Sequence, residues 1–515
     1  SMPTIGYVPP PPTDEEIDRF NIAKAKPGRF RNTLFPRLDA IDVPVPGQPV
    51  ERLIQYREDI VSSVEYARNL NVPRATRSQI SSVAMSPEMR EILARKRVVE
   101  RQLRNSYDPQ LSLLLKEIDE EFRLAKKGYQ YQRDTACLRQ AESLAAKHRY
   151  HEAWQRLQSL DPNRPRHQTG PLRSHDGRVL FPSKELADEL LDHFTAPMAP
   201  YSAPDADEET KLHWQRVEEE IAANADLRPT DVIREPAPGE FSISQRMLSN
   251  AIARLKSFKA PGLDGITNIF YKWGGVPLQI HLRRLYNLCL GSKFSIPAWK
   301  HAAVVPVPKP GKPLGFVASQ RPISLLPSDG KILESMTAEW MTSFLESLHL
   351  LPENQYAFRP HRSAPDIPLR VTQRIFDNRS HRRKTIVIAL DVKAAYDSVW
   401  HDGLIYKMLQ LPLPPNLIGW LVDFLRDRKL QARVAGFLSK TATVNCGVPQ
   451  GSPLSPLLYI LFTADLLDSP SPDTATEAYA DDLTTTATGD NLAAATYAAQ
   501  AEIDRIAKWA QRWRQ

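Results

Sequence analysis

The spacing of apolar residues along this chain changes character near residue 242. Before that point the dominant period is that of an α-helix. Its clearest apolar face consists of Leu111, Leu114, Leu115, Ile118 and Phe122. Ser86, Pro87 and Glu88 in succession are typical of a helix start. We therefore predict amphipathic helices from about residue 86 and over residues 109–160.

Prolines interrupt the chain before these helices. Four consecutive prolines at positions 9–12 favour an extended polyproline conformation, and further prolines follow as far as position 46. We predict an extended, Pro-containing segment over residues 1–85, then a helical extension with a connector over residues 86–240. Within the extension, Val179 follows an Asp–Gly turn and should lie on a short strand, and Ser183 should cap the next helix.

After residue 242, short β-like runs alternate with apolar helices and loops rich in Gly and Pro. Residues 385–391 are an apolar, largely β-branched run that ends in Asp391, which predicts a buried central strand. Threonine-rich runs on both sides of Asp481 and Asp482 predict a tight hairpin with these acids at its tip.

Two apolar helices are predicted on either side of this hairpin. Ser452 and Pro453 follow a glycine-containing loop and should be the cap and first residue of one helix. Its buried side consists of Leu454, Leu457, Leu458, Leu461 and Phe462. The apolar side of the other consists of Ile503, Ile506, Trp509 and Trp513.

Composition narrows the class of protein. The chain has 515 residues, of which 42% are hydrophobic and 25% charged, as is usual for globular proteins. We expect no membrane span, because no run approaches the ~18 uncharged apolar residues that one needs. Three widely spaced cysteines, Cys137, Cys289 and Cys446, do not resemble a disulfide framework and favour a reducing compartment.

Charge is distributed unevenly. The 67 Lys and Arg and 60 Asp and Glu give a net charge of +7, which is uninformative as an average. Counted by segment, residues 1–240 carry −3, residues 241–440 carry +15 and residues 441–515 carry −5. A basic block attracts phosphate backbones and an acidic end can hold metal ions, although charge runs are usually solvated surface.

Three carboxylates are candidate metal ligands. A carboxylate at the end of a buried strand, such as Asp391, is costly unless it is paired or bound to a metal. An ion pair would explain Asp391 alone, and two adjacent aspartates are most often a surface turn. If Asp481 and Asp482 lie on strands beside Asp391, the three together provide oxygen ligands for the paired hard cations used in phosphoryl transfer.

The motifs around these acids occur in a recognisable order. Tyr479-Ala-Asp-Asp resembles the YxDD box of reverse transcriptases encoded by non-LTR (LINE-like) retrotransposons. Leu390–Val399 resembles the first aspartate motif of that family and Pro449–Pro456 its template-grip motif. Upstream runs that resemble the family's fingers motifs begin at Phe258, Arg321 and Gln355. The resemblance covers about residues 245–515.

The resemblance implies an α+β fold: right-hand polymerase fingers and palm with an antiparallel palm sheet, preceded by a mainly helical N-terminal extension. The fingers would span residues 241–385 and the palm residues 386–515. The implied activity is RNA-directed DNA polymerase, adding dNTP to a primer 3′-hydroxyl in target-primed reverse transcription. The family continues with a thumb, and we expect this chain to stop before it, which would weaken its hold on a duplex.

The resemblance also implies roles for individual residues. Asp391, Asp481 and Asp482 match the triad that holds two Mg²⁺ ions, and we expect Asp481 to matter more because neighbours on a strand point in opposite directions. Tyr396 matches the aromatic residue that stacks under the incoming sugar and excludes a 2′-hydroxyl. Without the motif, we would interpret Tyr396 as an ordinary aromatic residue of the core. The further implied nucleotide contacts are Arg321, Lys309, Gln450, Gly451 and Ser452.

The implied partners are an RNA template, a DNA primer or target and dNTP. The basic block provides candidates for their phosphates, each of which taken alone is more often a solvated surface residue. The candidates are Arg359, Arg362, Arg382, Arg383 and Lys384. We expect such a protein in the nucleus and cytoplasm, with its oligomeric state left open.

Two other functions stay open. An RNA-dependent RNA polymerase shares the palm, but Tyr396 and the sequence Tyr479-Ala-Asp-Asp argue against it, and comparing dNTP with NTP incorporation would decide. A non-catalytic RNA-binding or scaffold protein derived from a retroelement would gain support if neither Mg²⁺ nor nucleotide changed the thermal melting of the protein.

Overall fold

The computed structural model describes residues 25–73, 87–105, 109–146, 171–199, 206–224, 227–313, 315–468 and 471–515. The chain forms two compact units. Unit 1 comprises residues 1–20 and 74–168, and unit 2 comprises residues 21–73 and 169–515. No helix in the described ranges is long and apolar enough to cross a membrane.

The secondary structure is mixed. The helices are α1 (Pro27–Asp39), α2 (Arg52–Asn71), α3 (Pro87–Asn105), α4 (Pro109–Ala146), α5 (Lys184–Thr195), α6 (Glu208–Ala223), α7 (Gln245–Arg254), α8 (Asn268–Trp273), α9 (Gly275–Gly291), α10 (Pro297–Lys300), α11 (Ser328–Ser347), α12 (Asp366–Ser380), α13 (His401–Leu409), α14 (Pro415–Leu425), α15 (Ser455–Phe462) and α16 (Leu492–Arg512). The strands are β1 (Leu172–Arg173), β2 (Val179–Leu180), β3 (His301–Pro308), β4 (Gln320–Leu325), β5 (Lys384–Asp391), β6 (Arg428–Val434), β7 (Phe437–Leu438), β8 (Ala442–Val444), β9 (Thr474–Tyr479) and β10 (Asp482–Gly489).

Unit 1, where described, is a pair of helices. Helices α3 and α4 pack through the buried residues Ile92, Val99 and Ile118. This confirms the amphipathic helices predicted from the apolar spacing. Helix α4 is described as far as Ala146, and the predicted continuation to residue 160 lies outside the described residues, as does the expected cap at Ser86.

The start of unit 2 is helical, so the extended segment predicted over residues 1–85 is wrong where the structure describes it. Helix α1 buries Phe30, Leu34 and Leu38 at four-residue spacing. The prolines misled the prediction because Pro27 stands in the first turn, where its missing N–H would have no helical partner anyway. The apolar period of α1 and α2 was the signal that outweighed them.

A mixed sheet in unit 2 joins β3 and β4, from the predicted fingers (residues 241–385), to β6, β7 and β8, which fall within the predicted palm (residues 386–515). Strand β3 pairs antiparallel with β4 and parallel with β6, and β6 also pairs with β7 and β8. Leu186 and Leu190 of α5 pack against Val304 and Leu430 of this sheet. Ser183 caps α5 by accepting from the Leu186 N–H at 3.2 Å, as predicted. The predicted region 86–240 therefore divides, because residues from 169 onward belong to the compact unit that contains this sheet.

A second, three-stranded sheet has the order β5–β10–β9, and both of its pairings are antiparallel. Helix α16 packs on one face, where Leu390 and Leu483 meet Ile506 and Trp509. The predicted threonine-rich hairpin is confirmed as β9 and β10. The prediction that residues 385–391 form a buried central strand is wrong: β5 lies at the edge of the sheet, and Val387 is 44% exposed on its outer face.

Candidate functional site

Three carboxylates lie together at one end of the three-stranded sheet. Asp391, the last residue of β5, is paired in register with Asp482, the first residue of β10. Residues directly opposed on neighbouring strands project to the same face, with Cβ atoms about 4.5–5.5 Å apart. Asp481 lies in the two-residue turn beside Ala480, because Tyr479 pairs with Asp482. The structure thus brings the three predicted acids together.

The ranking of the two hairpin acids rested on an assumption that does not hold. Alternation of side chains applies within a strand, but Asp481 is in the turn, and only Asp482 belongs to β10. Asp482 shares a face with Asp391 instead of pointing away from it. Strand alternation therefore does not rank the two acids, and the greater importance of Asp481 stays a prediction; Asp481 is the one of the two whose charge acts on Tyr396 and Tyr459.

No protein cation neutralises this cluster within the described ranges. None of Asp391, Asp481 and Asp482 forms an ion pair with a Lys, Arg or His side chain there. Burial raises the pKa of Asp481, and the negative charges of Asp482 and Asp391 raise it further, while Arg321 lowers it. The cluster therefore carries mutual repulsion that a bound cation would relieve.

The donor set fits Mg²⁺. Among the described residues, no group of three or more His, Cys, Asp or Glu side chains is arranged to hold a metal ion, so Asp391, Asp481 and Asp482 do not by themselves form a complete protein site for a metal. Mg²⁺ seldom uses one, because it keeps several waters and is typically held by one or two carboxylates and substrate phosphates. Asp391 and Asp482 are exposed and Asp481 is half-buried, so their oxygens are accessible to a hydrated ion.

An aromatic pair adjoins the carboxylates. The rings of Tyr396 and Tyr459 stack with centroids 4.9 Å apart and planes 18° apart. Burial raises the pKa of Tyr396, and the negative charge of Asp481 adds to the effect, so the phenol is neutral. The structure therefore brings Tyr396 to the site. Tyr459 was missed; the only signal for it was a polar aromatic in the apolar run of α15.

The glycine-containing loop before α15 packs against β4 of the mixed sheet. Gly451 has a φ of 136°, and a Cβ there would lie 2.3 Å from the carbonyl oxygen of Ser324 on β4, so only glycine fits. The amide of Gln450 donates to both carboxylate oxygens of Asp397, at 3.0 and 2.9 Å. Burial raises the pKa of Asp397 to about 6, while Gln450 and Lys309 lower it.

Helix α15 begins later than predicted. Its first residue is Ser455, with Pro456 in the first turn, so the prediction that Ser452 and Pro453 start it is wrong. Ser452 lies in the preceding turn, where its buried hydroxyl accepts from the Leu454 N–H at 3.1 Å and donates to Glu334. The Ser452 hydroxyl is thus engaged in the interior, and the expected nucleotide contact through its side chain is not supported.

The two predicted fingers cations differ in their surroundings. Arg321 is exposed on β4 and lies near enough to Asp481 to lower its pKa. Lys309 follows β3, and its ammonium donates to the carbonyl oxygen of Ala318 at 3.2 Å across its own loop. The positive charge of Lys309 lowers the pKa of Asp397. Arg321 thus acts on the carboxylate cluster, whereas Lys309 acts on the acid that holds Gln450.

Arg359 is corrected as a nucleic-acid contact. It is buried, and its guanidinium donates to both carboxylate oxygens of Glu346 at 2.7 Å. It also donates to the backbone carbonyl of Pro352. A side chain held this way cannot reach a phosphate without breaking a bidentate pair.

The other predicted phosphate contacts fall into two groups. Arg362 lies 5.6 Å from the ring centroid of Tyr356, and Arg383 forms an ion pair with Asp473, so both have protein partners. Arg382 and Lys384 are exposed, and in the part of the chain that the structure describes neither side chain forms an ion pair. Of the five predicted contacts, these two side chains are therefore the ones accessible to a nucleic-acid phosphate.

A buried acid on the carboxylate face was missed. Glu477 of β9 is 1% exposed, and neither of its carboxylate oxygens has a hydrogen-bond partner among the described residues. Its closest cation is Arg374, at 3.4 Å, and burial raises its pKa. A single acid in a threonine-rich strand was the only sequence signal for it.

Comparisons with known proteins agree with this architecture. Residues 307–514 match the family described as reverse transcriptase (RNA-dependent DNA polymerase). The chain is 28% identical over 485 residues to the probable RNA-directed DNA polymerase from transposon BS of Drosophila melanogaster, covering 91% of this chain and 50% of that protein. It is 31% identical to the RNA-directed DNA polymerase from mobile element jockey of the same species, over 53% of this chain and 30% of that protein.

A third Drosophila melanogaster protein, the probable RNA-directed DNA polymerase from transposon X-element, is 33% identical over 52% of this chain and 30% of its own length. The chain thus spans half or less of these relatives. The matched segment contains strands β4 to β10 and all three carboxylates of the cluster. Residues 307–514 of this chain thus match a reverse transcriptase domain of the kind found in these transposon proteins.

Proposed function

We propose that this chain is the polymerase core of a non-LTR retrotransposon protein, and that it copies RNA into DNA from a primer 3′-hydroxyl in target-primed reverse transcription. The observation that carries the proposal is the cluster of Asp391, Asp481 and Asp482, unneutralised in the described structure, within the matched reverse transcriptase segment. The relatives are named as RNA-directed DNA polymerases from transposons, which supports the same function.

The carboxylates are the proposed ligands of two Mg²⁺ ions, whose chemistry is to activate the attacking hydroxyl and to neutralise charge on the transferred phosphate. The protein's own contribution is spacing. The register of β5 and β10 holds Asp391 and Asp482 side by side, and the turn holds Asp481 beside them. Exposed oxygens at a sheet end leave room for a triphosphate to supply the remaining ligands.

Tyr396 is the proposed sugar selector. Its ring is fixed by stacking on Tyr459, which is itself buried, so it cannot move aside at low cost. A rigid ring beneath the sugar would collide with a 2′-hydroxyl and accept a 2′-hydrogen. Since the phenol is neutral, it adds no charge beside Asp481. This favours dNTP over NTP and argues for a DNA product.

The nucleotide and template would meet the wall formed by the loop before α15. Two contacts hold that loop in place: the hydrogen bonds from Gln450 to Asp397, and the close packing of Gly451 against β4. Arg321 is placed to bind a triphosphate, because it is exposed and its charge reaches Asp481. Arg382 and Lys384 are the proposed contacts to template or primer phosphates, which would make affinity fall with salt.

A protein that extends a primer on chromosomal DNA acts in the nucleus after synthesis in the cytoplasm, and we include this location in the proposal.

The deciding experiment is single-nucleotide extension of a primer annealed to RNA. We expect Mg²⁺-dependent addition of dNTP, a strong preference over NTP, and no addition after chelation. Equal use of NTP would favour an RNA polymerase. Absence of extension, together with a thermal melting curve that neither Mg²⁺ nor dNTP shifts, would favour a binding or scaffold protein. The assay should be repeated with a full-length relative, since this chain spans half or less of its relatives.

A further inference from the structure

The turn that carries Asp481 is held from outside its own hairpin. Residues 354–356 run beside β9, where the Ala478 N–H donates to the carbonyl of Asn354 at 2.8 Å and the Tyr356 N–H donates to the carbonyl of Ala478 at 2.9 Å. This is a short parallel bridge between Gln355 and Ala478. A segment that resembles a fingers motif therefore continues the palm sheet beyond β9.

The side chain of Gln355 reaches from this bridge to the turn. It is 0% exposed, and its Oε1 accepts from the Ala480 N–H at 3.1 Å and from the Ala357 N–H at 3.0 Å. Backbone N–H groups only donate, so the atom that faces both must be the amide oxygen. The amide nitrogen is buried and has no partner among the described residues. The side chain is thus oriented so that its amide oxygen accepts two hydrogen bonds, while its amide nitrogen is left without one among the described residues.

Ala480 needs an external partner for a physical reason. It has a φ of 58°, in the left-handed region that an alanine enters only when its surroundings hold it there. It is buried, so an unpaired N–H would carry the full penalty of lost hydration. Asp481 is the next residue, so any rotation of the Ala480 peptide moves its carboxylate relative to Asp391 and Asp482.

We propose that Gln355 is a positioning residue that sets where the Asp481 carboxylate points by holding the Ala480 N–H. It acts through the backbone of the turn and does not touch substrate. Its consequence for catalysis rests on the proposed function, whereas its consequence for the turn and for cation binding does not. The three readouts below separate these two parts.

Two variants isolate the acceptor. Gln355→Met keeps the length of the side chain and removes the acceptor, and Gln355→Glu keeps an oxygen where Oε1 stands. The matched control is Thr476→Val: Thr476 is equally buried on β9 and loses bonds to Thr485 and Glu502, at 2.9 and 2.8 Å, away from the turn. It should lose stability without disturbing Asp481.

The first readout is hydrogen exchange at the Ala480 amide, which needs no activity. We expect Gln355→Met to speed exchange about tenfold or more at this amide and at the Ala357 amide, the two that Oε1 accepts from, with Gln355→Glu and Thr476→Val near wild type. The second readout is titration with Mn²⁺, which Gln355→Met should bind about fivefold or more weakly, because Asp481 is misdirected. Wild-type exchange at Ala480 in Gln355→Met, or the same fast exchange in Gln355→Glu, would overturn the proposal.

The third readout is the kinetics of dNTP addition. We expect Gln355→Met to lower kcat about tenfold or more with KM for dNTP within about threefold, and excess metal to recover part of the loss. If kcat instead falls only in step with thermal stability, as in Thr476→Val, the role is structural and the proposal fails. If the wild type does not extend primers but Gln355→Met still weakens Mn²⁺ binding, the proposed function fails and the positioning role stands.

Discussion

Two groups of aspartates in this protein have opposite surroundings. Asp329 and Asp264 lie around Arg57 of α2, whose guanidinium meets Asp329 at 2.8 Å and Asp264 at 3.0 Å. Burial acts to raise the pKa of Asp329, but Arg57 outweighs it and the net direction is down, whereas burial and the charge of Asp329 raise the pKa of Asp264 to about 6 in spite of Arg57. The cluster of Asp391, Asp481 and Asp482 has no such cation among the described residues, and the pKa of Asp481 is raised.

The difference separates structural acids from reactive ones. The charge of Asp329 is neutralised inside the protein by Arg57. The Asp329 carboxylate also accepts from the indole N–H of Trp299 at 2.9 Å, so it links α2 to α10. The charge of the cluster is left at the surface, where repulsion among its members favours an added cation. Burial with a partner therefore marks an acid that holds the fold, and exposure without one marks an acid available to a ligand.

The largest expected effect is on the unpaired side of this comparison. Asp481→Asn should lower single-nucleotide extension by roughly 10³-fold or more, because a metal ligand is lost, while the free energy of unfolding stays constant or rises. Primer extension and urea denaturation measure the two quantities. The control is Asp490→Asn, an acid just past β10 whose side chain is 92% exposed. Wild-type extension by Asp481→Asn would end the proposed role of the cluster.

On the paired side, Arg57→Met should destabilise the protein by about 3–5 kcal/mol, since it leaves two buried acids without their cation. Urea denaturation at pH 7 measures the loss. Arg52→Met is the matched control on the same helix: its partner Asp42 is 80% exposed and Arg52 itself 31%, so removal of this pair should cost less than about 1 kcal/mol. Equal losses from the two variants would remove the distinction between them.

Asp397 is an intermediate case that sharpens the comparison, because it is buried but bonded mainly to a neutral amide. Its pKa is raised from 3.8 to about 6, so its ionised form costs stability above pH 6, and this cost disappears as pH falls toward 3.8. Asp397→Asn should therefore be more stable than wild type above pH 6, by up to roughly 3 kcal/mol, and similar to it near pH 4.

Chemical denaturation of both proteins at pH 4, 5, 6 and 8 checks this prediction. The difference between the two proteins cancels the titration of the other acids, some of which have lowered pKa values and favour higher pH. A difference that did not change with pH would mean that Asp397 is not ionised at a cost in the folded protein.

The smallest expected effect applies the same contrast to cations. Lys384→Ala or Arg382→Ala should lower the slope of log affinity against log salt for primed RNA by about 1 each, if each meets one phosphate. Arg359→Ala should leave the slope unchanged and instead lower stability, because its charge is used by Glu346. Binding titrations over a range of salt concentration measure the slopes. A slope change for Arg359 alone would reverse the assignment.

The positions of the three clustered carboxylates were predictable because their sequence signals are local. The hairpin tip of Asp481 and Asp482 followed from threonine-rich runs on either side, and the position of Asp391 from the apolar run before it. The helix through Trp509 and the cap at Ser183 were equally local. Periodicity and turn chemistry act over a few residues, so a single sequence records them.

Several features were mispredicted or missed because they depend on contacts distant in sequence. Whether β5 is central or at an edge depends on which strands join it, and the start of α15 depends on Ser452 meeting Glu334, 118 residues away. Arg359 appeared as one cation of a basic block until its partner Glu346 was known.

The sequence by itself thus determined three things: the order of the motifs, the sign of each charged block, and the local helices and strands around the carboxylates. Tertiary structure decided which charges remain for a ligand. Arg57 neutralises Asp329 across 272 residues, while the register of β5 and β10 sets Asp391 beside Asp482 without a cation between them. The physical reason is that a carboxylate is neutralised, or left able to bind a ligand, according to its neighbours in space. Folding alone determines those neighbours.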